Sequence, residues 1–146
     1  MSTSDKTRTI LSARAKAPSA LALEWSDGTR ATLDLAITLR KRGYAKLCDA
    51  KTFARAKPGE WGHSVEWPGE IALSAEMLWL ETLAATGHGD TREFLEWRLR
   101  HGLSLSAAAE ALGLSRRMVA YYSNGEKPVP KPILLACKGW EAEQAA

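Results

Sequence analysis

The sequence predicts an α+β module with a small antiparallel sheet and covering helices, followed by an all-α module built on a pair of short capped helices. Three observations carry this. In the first half apolar residues alternate with others, as Leu21, Leu23 and Trp25 do against Ala22 and Glu24, which is the pattern of a half-buried strand. In the second half Ser104, an alanine-rich stretch, Gly113 and Ser115 follow one another, the punctuation of two helices around a tight turn. Between the halves, Ala84-Ala85-Thr86-Gly87-His88-Gly89-Asp90 interrupts two helical patterns. The modules are therefore assigned to residues 1–85 and 91–146, with a linker over 86–90 and Gly87 and Gly89 as hinge candidates. The 146 residues of the chain suffice for two modules near the lower size limit.

Thr7 to Ala15 reads as the first strand, and Ala17-Pro18-Ser19 turns it into a second, Leu21 to Trp25. Ser26-Asp27-Gly28-Thr29 supplies the turn into a third, Arg30 to Leu35. After Asp34 the alternation gives way to helical spacing: Leu35 and Leu39 lie four apart, and Tyr44, Leu47, Cys48 and Phe53 fall on apolar positions near a second short helix. These segments are expected to cover the sheet. Ser64 to Pro68 is another strand, because Pro68 forbids helix and Val65 and Trp67 share a face. Ser74 then caps a helix from Ala75 to about Leu83. Strands, helical connection, strand and helix make an α+β module.

This N-terminal half resembles a small bacterial domain of unknown function. The resemblance rests on Trp25-x-Asp27-Gly28, on Asp34 before a helical segment, on Leu47-x-Asp49-x-x-x-Phe53, and on Val65-x-Trp67-Pro68 leading to Leu73-Ser74-x-Glu76-x-Leu78. It implies a fold and an association with helix-turn-helix domains, and it carries over no chemistry.

In the C-terminal module Phe94 and Trp97 define the inner face of a first helix, with Leu95 and Leu99 as an i, i+4 pair beside it, available for core or for docking. Ser104 and Ser115 are placed to cap the next two helices, Gly113 to take the left-handed turn between them, and Asn124-Gly125 to end the second. This reads as a helix-turn-helix. Gly102-Leu103-Ser104, Ala109, Leu112-Gly113-Leu114-Ser115 and Gly125 resemble, without gaps, the Cro and lambda-repressor type.

That resemblance implies a sequence-specific regulator of transcription that binds double-stranded DNA. The recognition helix, Ser115 to Tyr122, would enter the major groove and present Arg116, Arg117, Ala120 and Tyr121. Arg116 or Arg117 would pair with guanine, Tyr121 would meet a thymine methyl or a phosphate, and Ala120 would permit close approach. Matched residue by residue, Ser104 and Asn124 would touch phosphates, with Lys127 nearby, and these contacts set register. Two positions depart from the family: Leu105 stands where a phosphate-reaching Gln is usual, and Ser123 where a Glu usually pairs with the residue at Arg98. Arg98 then takes another partner or faces phosphate. Leu112, Ala109, Val119 and Met118 are assigned to the core side.

The net charge of +3 is mild, and its distribution is more telling. From Arg98 to Lys138 stand seven cations against Glu110 and Glu126, a footprint compatible with DNA. His63, His88 and His101 lack metal-ligand spacing, the glycines fit no phosphate-binding loop, and no catalytic constellation occurs. No cofactor, metal or enzymatic activity is expected. Cys48 and Cys137 are too far apart in sequence for a metal pair and are expected to be buried free thiols. No long apolar run and no leader pattern occurs, so a cytoplasmic protein without membrane contact is expected. Trp25, Trp67 and Trp97 are read as core, whereas Trp61, in the loop Lys57 to Gly62, is a candidate partner contact.

A helix-turn-helix this small implies a homodimer, with the N-terminal module supplying dimerisation, sensing or a protein partner. Two rival readings remain. In one, the chain is an antitoxin-like module that holds a partner protein and represses their shared operon. In the other, the helix pair is a relic serving protein contact.

Overall fold

In the computed structural model, which describes residues 8–146, the alternation of the first strands becomes an antiparallel sheet of β1 (Ile10–Lys16), β2 (Ala20–Trp25) and β3 (Arg30–Asp34) in that order. The predicted start of the first strand at Thr7 lies outside the described residues. On the central strand Leu21, Leu23 and Trp25 are buried and the residues between them half-buried. The turn into β3 is built as its sequence demands. Gly28 takes φ +91°, and Asp27 accepts the Thr29 amide at 2.9 Å. Arg8 Nε meets Asp27 Oδ2 at 3.0 Å, and the Arg8 guanidinium lies 4.2 Å from the Trp79 ring centre.

The sheet of this half is not single. A second antiparallel sheet joins β4 (Lys57–Pro58), β5 (Ser64–Trp67) and β6 (Ile71–Ser74), where sequence predicted one strand followed directly by a capped helix. The reversal from β5 to β6 runs through Gly69 and Glu70, both at positive φ. β6 is only four residues long, too short for its Ile71 and Leu73 to register as alternation apart from the helix that follows.

The helical connection is more fragmentary than its spacing suggested: single turns α1 (Ala36–Leu39) and α2 (Ala50–Phe53) flank a 3-10 turn over Ala45–Cys48. Leu39, Leu47 and Phe53 anchor it to the core, while Cys48 is exposed, a correction to the buried thiol expected there. α3 (Ala75–Ala85) starts at Ser74, whose Oγ accepts the Met77 amide at 3.2 Å. Trp25 Nε1 donates to Thr82 Oγ1 at 3.1 Å, and that hydroxyl donates to the Leu78 carbonyl at 2.8 Å. The indole is thereby buried without leaving its N–H unpaired.

The chain divides into two compact units at Thr86/Gly87. The second holds α4 (Gly89–Arg100), α5 (Leu105–Leu112), α6 (Arg116–Asn124) and α7 (Lys131–Ala145). α4 begins inside the stretch read as linker, so Gly89 is its first residue. Asp90, in its first turn, accepts the Val129 amide at 2.8 Å and ties this end to the approach of α7. Phe94, Trp97, Leu105, Ala108, Val119, Tyr122 and Cys137 form its core. Among the described residues no helix is long and apolar enough to cross a membrane.

Candidate nucleic-acid interface

Each boundary of the α5–α6 pair is set by a side chain or a glycine at its expected place. Ser104 Oγ accepts the Ala107 amide at 3.0 Å to open α5, and Ser115 Oγ accepts the Met118 amide at 3.1 Å to open α6. A serine hydroxyl that accepts at a cap still has its own proton to donate. α5 ends at Gly113 with φ +70°, and the Leu114 amide reaches back to the Ala109 carbonyl at 2.9 Å. α6 ends alike, with Gly125 at φ +78° and the Glu126 amide on the Tyr121 carbonyl at 3.0 Å. Both closures carry the six-to-one bond of a Schellman motif.

The face that α6 turns outward is narrow. Arg116 and Arg117 are exposed, and Tyr121 and Asn124 are half-buried. Arg117, Tyr121 and Asn124 stand at i, i+4 and i+7, one stripe of a helix. Lys127, exposed just past the helix, places its Nζ 5.1 Å from the Tyr121 ring centre. Stripe and lysine therefore form one surface, cationic at both ends.

Ala120 does not belong to that surface. It is 1 % exposed and packs with Val119 in the core, because the inner stripe of so short a helix needs it to close against α4 and α5. Its small size serves the approach of helices, not of an outside ligand. Arg98 is likewise inside: Nη1 donates to Ser123 Oγ at 2.7 Å and Nε to the Leu103 carbonyl at 2.9 Å. Of the two fates left open for it, the structure gives the internal partner. Leu105 is 3 % exposed in the same core, which accounts for an apolar residue there.

The positive footprint is smaller than its sequence tally. Arg98 is sequestered, and Arg100 pairs with Glu141 at 2.8 Å and Glu96 at 3.7 Å. Glu141 also meets His101 Nε2 at 3.2 Å. Burial pushes the Glu141 carboxyl up, but the hydrogen bonds and charges of His101 and Arg100 outweigh it and hold the group below its ordinary range. Around α6 and the start of α7, Arg116, Arg117, Lys127 and Lys131 are exposed.

The chain matches the family model described as protein of unknown function, DUF2442, over residues 10–82. The chain belongs to this family. It is also similar to the crystal structure of a proposed DNA-binding protein from Nitrosomonas europaea, with 37 % identity, 97 % of this chain and 91 % of that chain covered, and a TM-score of 0.72. The curated proteins contain no match. In this DUF2442 member the family span coincides with the first unit, whereas the likeness to the solved structure runs through both. Trp25-x-Asp27-Gly28 and Val65-x-Trp67-Pro68 lie within the family span. There Trp25 and Trp67 are core, and Trp61 is 78 % exposed at φ +62°.

Proposed function

We propose that the second unit of this DUF2442 protein is a helix-turn-helix of the Cro and lambda-repressor type that reads double-stranded DNA, making the chain a regulator of transcription. The observation that carries this reading is the outward stripe of α6. Two capped helices joined by a left-handed glycine hold Arg117, Tyr121 and Asn124 on one face, with Arg116 and Lys127 at its ends. An arginine there can make a bidentate pair with guanine O6 and N7, and Tyr121 can pack on a thymine methyl. Ser104, Ser115, Asn124 and Lys127 supply donors for phosphates, which fix register. The likeness to a solved protein proposed to bind DNA supports the same reading.

Four exposed cations make a modest electrostatic surface, so specific binding calls for two copies on half-sites about one helical turn (~34 Å) apart. The test is selection of genomic DNA by the full-length protein, followed by titration of the enriched duplex and a scrambled duplex at several salt concentrations. Enrichment of a two-fold symmetric site, bound at least about a thousandfold more tightly than scrambled DNA, is expected. Equal affinity for both duplexes would overturn the reading.

A further inference from the structure

The densest positive charge of this chain lies in its first unit. Residues 40–55 hold Arg40, Lys41, Arg42, Lys46, Lys51 and Arg55 against Asp49, an excess of five in a chain whose net charge is +3. All six cations are exposed. The reason is in the packing: Leu39, Leu47 and Phe53 commit the apolar positions of this connection to the core, which turns its remaining positions outward. Small exposed residues, Gly43, Ala45, Ala50 and Ala54, stand between the cations and leave room for a bulky backbone to approach. The Asp49 carboxylate is taken up by the Thr52 amide at 3.2 Å and hydroxyl at 2.8 Å. The ion pairs of Arg8 with Asp27 and of Arg30 with Glu24 lie elsewhere in this unit.

We infer that residues 40–55 form a second nucleic-acid surface, one that holds the phosphates of duplex DNA without reading sequence. The choice of DNA rests on the proposed function of the second unit, since a surface tethered in one chain to a DNA reader meets DNA at high effective concentration. The alternative polyanion, an anionic membrane, requires an apolar face to insert. Here Leu47 and Phe53 are buried and Tyr44 is half-buried against the same core, and among the described residues flanking the segment in sequence the large apolar side chain that faces out is Ile37, 75 % exposed. Cations spread over an exposed segment act together at low ionic strength and are screened at high salt. The surface therefore contributes affinity, salt dependence and retention on flanking DNA, while the stripe of α6 contributes preference.

The test uses the full chain and two readouts. Cys48 is exposed within the segment and Cys137 is buried, so the alkylation rate of Cys48 reports on this surface alone. Duplex DNA should slow it several-fold, both in the wild type and in an Arg116→Ala/Arg117→Ala variant that no longer prefers its site. A Lys41→Gln/Lys46→Gln/Lys51→Gln/Arg55→Gln variant should keep its site preference. It should lose at least about tenfold in affinity for site and scrambled duplex alike, with a salt slope shallower by roughly one unit for each phosphate contact removed. An unchanged slope with unprotected Cys48 overturns this surface and leaves the α6 reading intact. Protection of Cys48 without any site preference does the reverse. Protection by anionic vesicles but not by duplex assigns the surface to a membrane and overturns the inference.

Discussion

The Arg98 guanidinium and the Ser123 hydroxyl meet at 2.7 Å inside the second unit, tying the C-terminal half of α4 to the end of α6. The Leu103 carbonyl takes a second N–H of the same arginine. The Cro and lambda-repressor type proposed for this unit tends to place a carboxylate where Ser123 stands. Here a hydroxyl and a carbonyl both take part in the anchoring.

Ser123→Ala should therefore lower stability by about 1–3 kcal/mol, because a buried cationic N–H loses its acceptor. Denaturant melts of the full chain will show it as a shift of the second unit's transition. A midpoint equal to wild type would mean that the bond contributes nothing.

Gly113 separates backbone strain from crowding. A Cβ added there meets nothing within 4 Å, yet φ is +70°. Gly113→Val should cost about 1–3 kcal/mol from the left-handed conformation alone, and Gly113→Asn distinctly less, since asparagine tolerates that region. Equal costs for the two would point to a steric cause that the structure does not contain.

Arg117 and Lys127 flank one tyrosine but should differ in kind. Arg117→Ala is expected to cost about 1–3 kcal/mol on the selected site and to relax preference at one base pair, while Lys127→Ala weakens all duplexes alike. Base-by-base competition titrations distinguish the two. Loss of preference on Lys127→Ala would exchange their roles.

The two thiols should react at different stages. Burial, reinforced by the charges of Glu93 and Glu141, pushes Cys137 up to about 12, so it stays an inaccessible thiol at neutral pH. The native chain should consume one equivalent of maleimide, at Cys48, and a second only on unfolding. Rapid uptake of two equivalents by native protein would contradict the packing of α7.

Asp27 gives the first unit an acid limb. Burial raises its carboxyl, but the hydrogen bonds from Thr29 and the charge and hydrogen bond of Arg8 prevail and hold it below the ordinary 3.8. The stabilisation is complete above that value and is lost as pH falls through the lower folded one. Asp27→Asn keeps an acceptor for the turn and removes the titration. As pH is lowered through the ordinary carboxylate range and below it, its Tm should fall less than that of the wild type; parallel declines would assign the acid limb to other carboxylates.

Local chemistry determined what the sequence could state by itself. Ser74, Ser104 and Ser115 cap helices with their own oxygens, Gly28 and Gly113 take backbone angles that other residues resist, and Leu21, Leu23 and Trp25 alternate because a strand has two faces. Packing decided the rest. Ala120 sits on an exposed-looking helix yet closes the core, and Arg98 binds two acceptors that are five and twenty-five residues away in the chain. Cys48 sits at an apolar position but faces out, because Leu47 and Phe53 already satisfy the core on their short turns. β6 exists only because β5 offers it a hydrogen-bonding edge, which four residues of alternation could not announce. A cap depends on neighbours along the chain and can be read from it; burial depends on what else competes for the same interior, and only the folded arrangement decides that competition.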